Sequence, residues 1–465
     1  MINYRGIRMK SNFMAGLLAA TSLALAAPAS AGNIFDALSE TYNTNPTLQA
    51  ERAYLRAVDE NVAIAKSGYR PTLALTGSYR DAHNNVDSDS SYGRVGGGDT
   101  TTKSMAAKVS QPLFSGFSTV NSVKSADQAV RAEQNNLYNV EQNVLLDAST
   151  AYLDVLRDEA IVELQKNNEK LLKKRLDETQ QRFNVGEVTR TDVSQAKARY
   201  SQAMSDRIAA EGTLEVSKAS YAKIIGSDPD ALEEPTVING LLPKNYDEAM
   251  NIALKNNYSI KQARHLFNAK GYEVYANTGS LLPQLSFDAA ASKVKSENDN
   301  ALSGDTTTDS VEWGLNLSIP LYNAGESRAK IRQSKHQKWQ AQEAMLETER
   351  QVKATFSSAW EIMKANETKI SAIKEQVKAN EIALDGVQKE EALGNRTILD
   401  VLDAYQELLN SNVNEVTARR NYYVSAMNVL VSMGKLTAKD LGLNVKLYDA
   451  KKYYKDTKDK WLSLN

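Results

Sequence analysis

Asp400 and Asp403 lie three residues apart, a spacing that sets both carboxylates on one face of a helix. Such a pair offers two chemistries. Held close together, like charges repel and favour bound cations. In the first turn of a helix, the same residues complement the positive end of its dipole. Just before them, Gly394-Asn395-Arg396-Thr397 supplies a turn glycine and a guanidinium. A comparable run, Gly186 through Thr191-Asp192, stands ~208 residues earlier. Catalytic groupings are missing. The three histidines, His83, His265 and His336, are dispersed without metal-ligand spacing, and there are no cysteines. Gly96-Gly97-Gly98 is not followed by the Lys-Ser/Thr of a phosphate loop, and Asp87-x-Asp89 lacks the glycine and distal Glu of a calcium loop. The residues therefore point to no enzyme, no metal and no cofactor.

The elements that carry these residues come in two copies. At an offset of ~210 residues, Pro71 recurs as Pro283, Pro112 as Pro320, Gly186 as Gly394, Asp192 as Asp400 and Gly226 as Gly434. Each copy reads helix, strand, loop, strand, very long helix, turn, long helix. Helices are predicted over Ile34–Tyr42 and Thr47–Lys66, split at Asn45-Pro46, with counterparts running from Tyr246 through Asn257 past Gly271. Period-two alternation follows Pro71 (Leu73, Leu75, Gly77, Tyr79) and precedes Pro112 (Met105, Ala107, Val109). It recurs after Pro283 (Leu285, Phe287, Ala289, Ala291) and before Pro320 (Val311, Trp313, Leu315, Leu317, Ile319). These are strands of ~9–11 residues with one apolar and one polar face. That pattern fits a membrane-spanning barrel strand, and equally an ordinary half-buried sheet. Polar stretches, His83–Thr102 and Lys293–Asp309, join the pairs.

After Pro112 and Pro320 a helical pattern runs for ~65 residues, ~100 Å of helix. Its seam in the first copy is Val123, Ala126, Val130, Leu137, Val140, Val144, Ala148, Ala151 and Val155, the small and apolar stripe of a coiled coil. Gly186 and Gly394 end these helices, and return helices Thr191–Ile225 and Thr397–Met433 close at Gly226 and Gly434.

Composition narrows the setting. Lys plus Arg total 56 against 57 Asp plus Glu, a net charge of −1 with both signs interspersed, so no nucleic-acid partner is implied. Arg5, Arg8 and Lys10, the apolar stretch Phe13–Ala27 and Ala29-Ser30-Ala31 read as a secretory signal peptide. The chain divides into that leader (1–31), repeat one (32–239), repeat two (240–440) and a tail (441–465). No later window is a transmembrane helix. Four strands cannot close a barrel, and an open sheet edge cannot face lipid, so membrane strands would have to be pooled among several chains.

The sequence resembles the TolC family of outer membrane efflux proteins. The resemblance is carried by Asn45-Pro46, Arg70-Pro71-Thr72-Leu73, Gln111-Pro112-Leu113-Phe114-Ser115-Gly116 and Ile319-Pro320-Leu321-Tyr322-Asn323-Ala324-Gly325. Its strongest marks are the turns Phe183–Val193 and Gly394–Ala404, and it covers essentially the whole mature chain. It implies a mixed α and β membrane fold: a homotrimer with a ~12-stranded β-barrel in the cell outer membrane and an α-helical periplasmic tunnel. The tunnel would dock on a periplasmic adaptor (membrane fusion) protein and an inner-membrane ABC or proton-driven transporter. In such a channel Asp400 and Asp403 ring the periplasmic entrance. Arg396 latches it through Thr191 and Asp192, and Gly186 and Gly394 form the adaptor-docking tips. Where the family can carry a tyrosine in this latch, the chain has Glu391. The tail, Leu447 through Trp461, resembles those of type I secretion members, and also fits a solvated Lys/Tyr extension. The function implied is a passive exit duct for type I protein secretion or, alternatively, multidrug efflux. A soluble periplasmic coiled-coil adaptor and an exported enzyme with a helical insert are the rivals.

Overall fold

The computed structural model describes residues 32–84, 98–235, 240–298 and 304–461. The leader, Asp87, Asp89, Gly96, Gly97 and the middle of both polar loops lie outside the described residues. Repeat one consists of α1 (Ile34–Thr44), α2 (Pro46–Ser67), β1 (Thr72–Asn84), β2 (Gly98–Ser115), α3 (Ser118–Asn184) and α4 (Arg190–Ile225). Repeat two consists of α5 (Tyr246–Asn256), α6 (Tyr258–Gly279), β3 (Gln284–Asn298), β4 (Thr306–Ser318), α7 (Glu326–Ala392) and α8 (Ile398–Ser432). A short α9 (Lys452–Thr457) follows.

The repeat extends to single atoms. The Asn45 side chain caps α2 by accepting from the Thr47 and Leu48 amides, and its Nδ2 donates to the Ile224 carbonyl at 2.9 Å. Asn257 does the same in repeat two, capping α6 and donating to the Ser432 carbonyl at 3.0 Å. Each asparagine thus fixes the start of one helix to the end of a return helix, and satisfies end groups that helix geometry leaves unpaired.

The strands join in the order β1-β2-β3-β4, all antiparallel, and leave β1 and β4 with free edges. They are longer than expected, at 13 to 18 residues. They run into stretches assigned to loops, where polar residues pair as readily when both sheet faces are wet. Pro112 lies inside β2 rather than at its end. The register slips between Pro112 and Phe114, and this bulge accommodates the missing N–H. Two successive left-handed residues then turn strand into helix: Gly116 (φ 61°) and Phe117 (φ 63°) in repeat one, Ala324 (φ 54°) and Gly325 (φ 85°) in repeat two. Gly116 is required twice over, because a Cβ there would also run into the Gly279 carbonyl.

Among the described residues the apolar faces of the outer strands are left largely uncovered, the Trp313 ring touching only its sheet neighbour Phe287. Leu73 is 76% exposed and Trp313 76%, and Leu75, Tyr79, Val311 and Leu315 are also exposed. An ordinary half-buried sheet would cover that face with core. The whole chain presents 29696 Å² to solvent, against roughly 17,000 Å² for a globular monomer of this mass.

The long helices pack as predicted. Val130, Leu137, Val144, Ala148, Ala151 and Val155 of the seam are buried, while Val123, Ala126 and Val140 are half-buried. α3 lies along α4 and α6, and α7 along α8 and α6. The main core sits where α1, α5 and the residues after α8 wrap the long helices, around Tyr152, Tyr221, Phe356, Leu430 and Leu436. The tail is no solvated extension: Leu441, Leu443 and Ala450 belong to that core.

Candidate functional site at the hairpin tips

Both tips are built by the same local chemistry. α3 ends at Gly186 (φ 83°) and α7 at Gly394 (φ 80°). A Cβ on either glycine would meet no atom within 4 Å, so the demand is for the left-handed conformation, not for space. The Glu187 amide closes back on the Arg182 carbonyl at 2.9 Å, and the Asn395 amide on the Glu390 carbonyl at 2.9 Å.

The return helices start with capping boxes. The Thr189 amide donates to Asp192 Oδ2 at 2.8 Å and the Asp192 amide to Thr189 Oγ1 at 3.3 Å. In repeat two the Thr397 amide donates to Asp400 Oδ2 at 2.9 Å and the Asp400 amide to Thr397 Oγ1 at 3.2 Å. The Thr189 hydroxyl and amide hold the Asp192 carboxyl below its ordinary range, and the Thr397 amide and hydroxyl do the same for Asp400. The Thr-x-x-Asp spacing of both turns is the signal that would have announced these caps, and sequence reasoning did not use it. Asp400 thus has the helix-terminus role that its position alone suggested.

Asp400 and Asp403 part company. Asp403 Oδ1 is 2.6 Å from Arg199 Nη2 on α4, a bond between the two hairpins. Arg396 does not reach Thr191 or Asp192 within the chain; its Nε donates to Glu390 Oε2 at 2.9 Å, which pushes the guanidinium pKa up. Asp192 is instead occupied by its own cap. The tie across the tips is made by Arg182 and Glu391, at 2.6 Å from Nη1 to Oε1, with Arg182 Nε also 3.2 Å from Glu187. Higher up, Tyr405 of α8 accepts from Gln388 at 2.6 Å and from Arg175 of α3 at 3.4 Å. Beneath these bonds Leu172, Ala203 and Leu402 make a small apolar contact between the hairpins. Sequence reasoning missed Arg182, Arg199 and Arg175. Their partners lie in the other repeat, and no local spacing announces them.

Among the described residues no group of acidic or histidine side chains is placed to hold a metal ion, and no helix is long and apolar enough to cross a membrane, which says nothing of strands. The arrangement is a pair of hairpin tips joined by charged links, below a sheet with an uncovered apolar face.

A family model described as outer membrane efflux protein matches residues 37–227 and 249–435. Outer membrane efflux protein BepC of Brucella suis biovar 1 (strain 1330) is 37% identical over 429 residues, covering 92% of this chain and 91% of that protein. Outer membrane protein TolC of Escherichia coli (strain K12) is 25% identical over 425 residues, covering 88% and 84%. The CmeC outer membrane channel of Campylobacter jejuni shares the fold, with a TM-score of 0.74 at 16% identity over 92% of this chain and 89% of that one. The exposed strand faces, the doubled hairpins and these likenesses agree: the chain belongs to the outer membrane efflux protein family.

Proposed function

We propose that the chain is the exit duct of a tripartite export system. Three copies pool their four strands each into a barrel of ~12 strands, and their hairpins into a periplasmic tunnel. The tips around Gly186 and Gly394 dock a periplasmic adaptor, which links the duct to an inner-membrane ABC or proton-driven transporter. Cargo is energised there, and the duct is passive. The observation that carries this reading is the sheet itself. Its apolar face is uncovered and both its edges are unpaired, a state tolerable in lipid only if the edges meet other copies. A soluble coiled-coil adaptor would have no use for such a sheet.

Asp400, and Asp403 where Arg199 leaves it net charge, form the acidic, cation-selective ring of the entrance. Arg182–Glu391 and Arg199–Asp403 hold the inner hairpin to the outer one in each chain. Arg396 completes the latch by turning from Glu390 to Thr191 and Asp192 of a neighbouring copy. The tail favours secreted proteins as cargo, and small molecules fit the same duct. The detergent-corrected mass of the purified protein tests the assembly. Three chains are expected, and a stable monomer would contradict the pooled barrel.

A further inference from the structure

The tail climbs towards the membrane. From Leu436, whose amide meets Gln142, it runs back up α3 and α2. The Tyr448 amide donates to the Tyr42 hydroxyl at 3.0 Å, Tyr453 donates to Glu60 at 2.8 Å, and Tyr454 to Asp127 at 2.8 Å. It ends with Asp459 on Lys66 and the Trp461 ring 4.9 Å from the Arg70 guanidinium. Arg70 is two residues before β1 starts. Trp461, 64% exposed, therefore stands level with the periplasmic rim of the sheet. Exposed Tyr69, Phe117, Leu321 and Tyr322 gather at the same level. An amphipathic ring at that height belongs to the interface between hydrocarbon and headgroups.

Beneath Trp461 the tail, α3 and α6 enclose a cavity of about 630 Å³. Its wall carries Arg131, Lys451, Lys455 and Lys458 against a single carboxylate, Asp127. That carboxylate is already taken, by Arg131 at 3.0 Å and the Tyr454 hydroxyl. Among the described residues, none of the three lysines makes an ion pair with a carboxylate, while Lys458 lies over the Tyr454 ring. Burial, then the charges of Arg131 and Arg264, pushes the pKa of His265 in the same wall down. Asp127 is nine residues into α3 and Tyr138 twenty, so the cavity runs from ~14 to ~30 Å below the rim. Lys458, next to the Asp459 that meets Lys66, is at its upper end, where long lysines snorkel upwards. The tail packs with α1 against the long helices, and in the duct reading this layer takes the outer face, because three copies of it would fill the lumen.

We propose that this cavity is a docking site for anionic phospholipid headgroups of the periplasmic leaflet. The phosphate sits at the upper mouth between Lys455 and Lys458, with Trp461 in the interface above it and Arg131 and Lys451 deeper in the same wall. The chain has no cysteine for a lipid anchor, and this site is a second, non-covalent hold on the leaflet beside the barrel. The inference rests on the strands lying in lipid, and its test is read separately from channel activity.

Detergent-solubilised full-length protein would be titrated with dioctanoyl phosphatidylglycerol, dioctanoyl phosphatidylethanolamine and inorganic phosphate, with planar-bilayer conductance recorded in parallel. The expected result is phosphatidylglycerol binding at least about 10-fold tighter than the other two, weakened by salt, and weakened roughly 10-fold or more in Lys455→Glu with Lys458→Glu. The milder Lys455→Gln should give a smaller loss with conductance intact. Equal binding of both lipids, equal binding of free phosphate, or no loss in the variants would overturn the headgroup site while leaving the duct standing. Preference for polyglutamate over phosphatidylglycerol would assign the surface to an acidic protein and overturn it too. Lost conductance in wild type would strike the duct reading instead.

Discussion

Removing Glu391 tests whether the links between hairpins close the entrance. Its Oε1 is 2.6 Å from Arg182 Nη1, with the glutamate side chain 11% exposed and the arginine 43%. The bare Coulomb attraction of such a pair is ~4 kcal/mol at an effective dielectric of ~20. Water around Arg182 screens much of this, and fully exposed pairs net only ~0.2–1 kcal/mol. One partner is nearly buried and the bond is charge-assisted, which places the coupling at ~1–2 kcal/mol per chain. Three chains closing one entrance sum to ~3–6 kcal/mol, enough to move an open–closed equilibrium by ~10²–10⁴. The assay is a double-mutant cycle in planar bilayers with wild type, Glu391→Gln, Arg182→Gln and both together. Each single change should raise the open fraction at least tenfold, and the double should do little more than either. Singles that conduct like wild type, or a double whose effect is the sum of the two, would refute the reasoning.

Three further outcomes follow from the same geometry. Asp59 is fully buried with neither carboxylate oxygen hydrogen-bonded, and burial, then Glu60, raises its pKa to about 7. A carboxyl raised on folding costs stability as pH climbs from about 4 to that value. Asp59→Asn should therefore gain Tm over wild type between pH 5 and 8, and a pH-independent difference would contradict this. The capping carboxyls behave oppositely. Asp192 and Asp400 are depressed, so their stabilisation is present above about pH 4 and lost as pH falls through the lower folded values. Thr397→Ala should cost about 1 kcal/mol and speed amide exchange in the first turn of α8, while leaving α4 unchanged. Gly116→Ala must fit a side chain at φ 61° against the Gly279 carbonyl. Heat-resistant assembly should fall sharply, whereas Gly186→Ala, strained but unobstructed, should lose far less.

Much of this architecture was written locally. Prolines, turn glycines and the two Asn caps are short-range signals, and each long helix ends close to where its glycine predicts. The alternation of β1 and β4 was equally plain, but its meaning was not. Leu73 and Trp313 alternate as they would in a half-buried sheet, and only their exposure in the fold separates lipid from core. Pro112 misled because a bulge, invisible in sequence, lets a strand continue through it. At the tips, Asp400 and Asp403 were legible as a pair, yet the fold divides them between a cap and Arg199. The Arg182–Glu391 bond joins residues from opposite repeats, so its only trace in the sequence was an acid where the family can carry a tyrosine.

The central claim is an oligomeric duct with an acidic entrance, and single-channel recording of purified protein in planar bilayers tests it most directly. Wild type should give small, cation-selective currents blocked by divalent ions, and Asp400→Ala with Asp403→Ala should lose both selectivity and block. Folded, membrane-inserted oligomers that pass no current would contradict the duct, and currents indifferent to the two substitutions would contradict its gate.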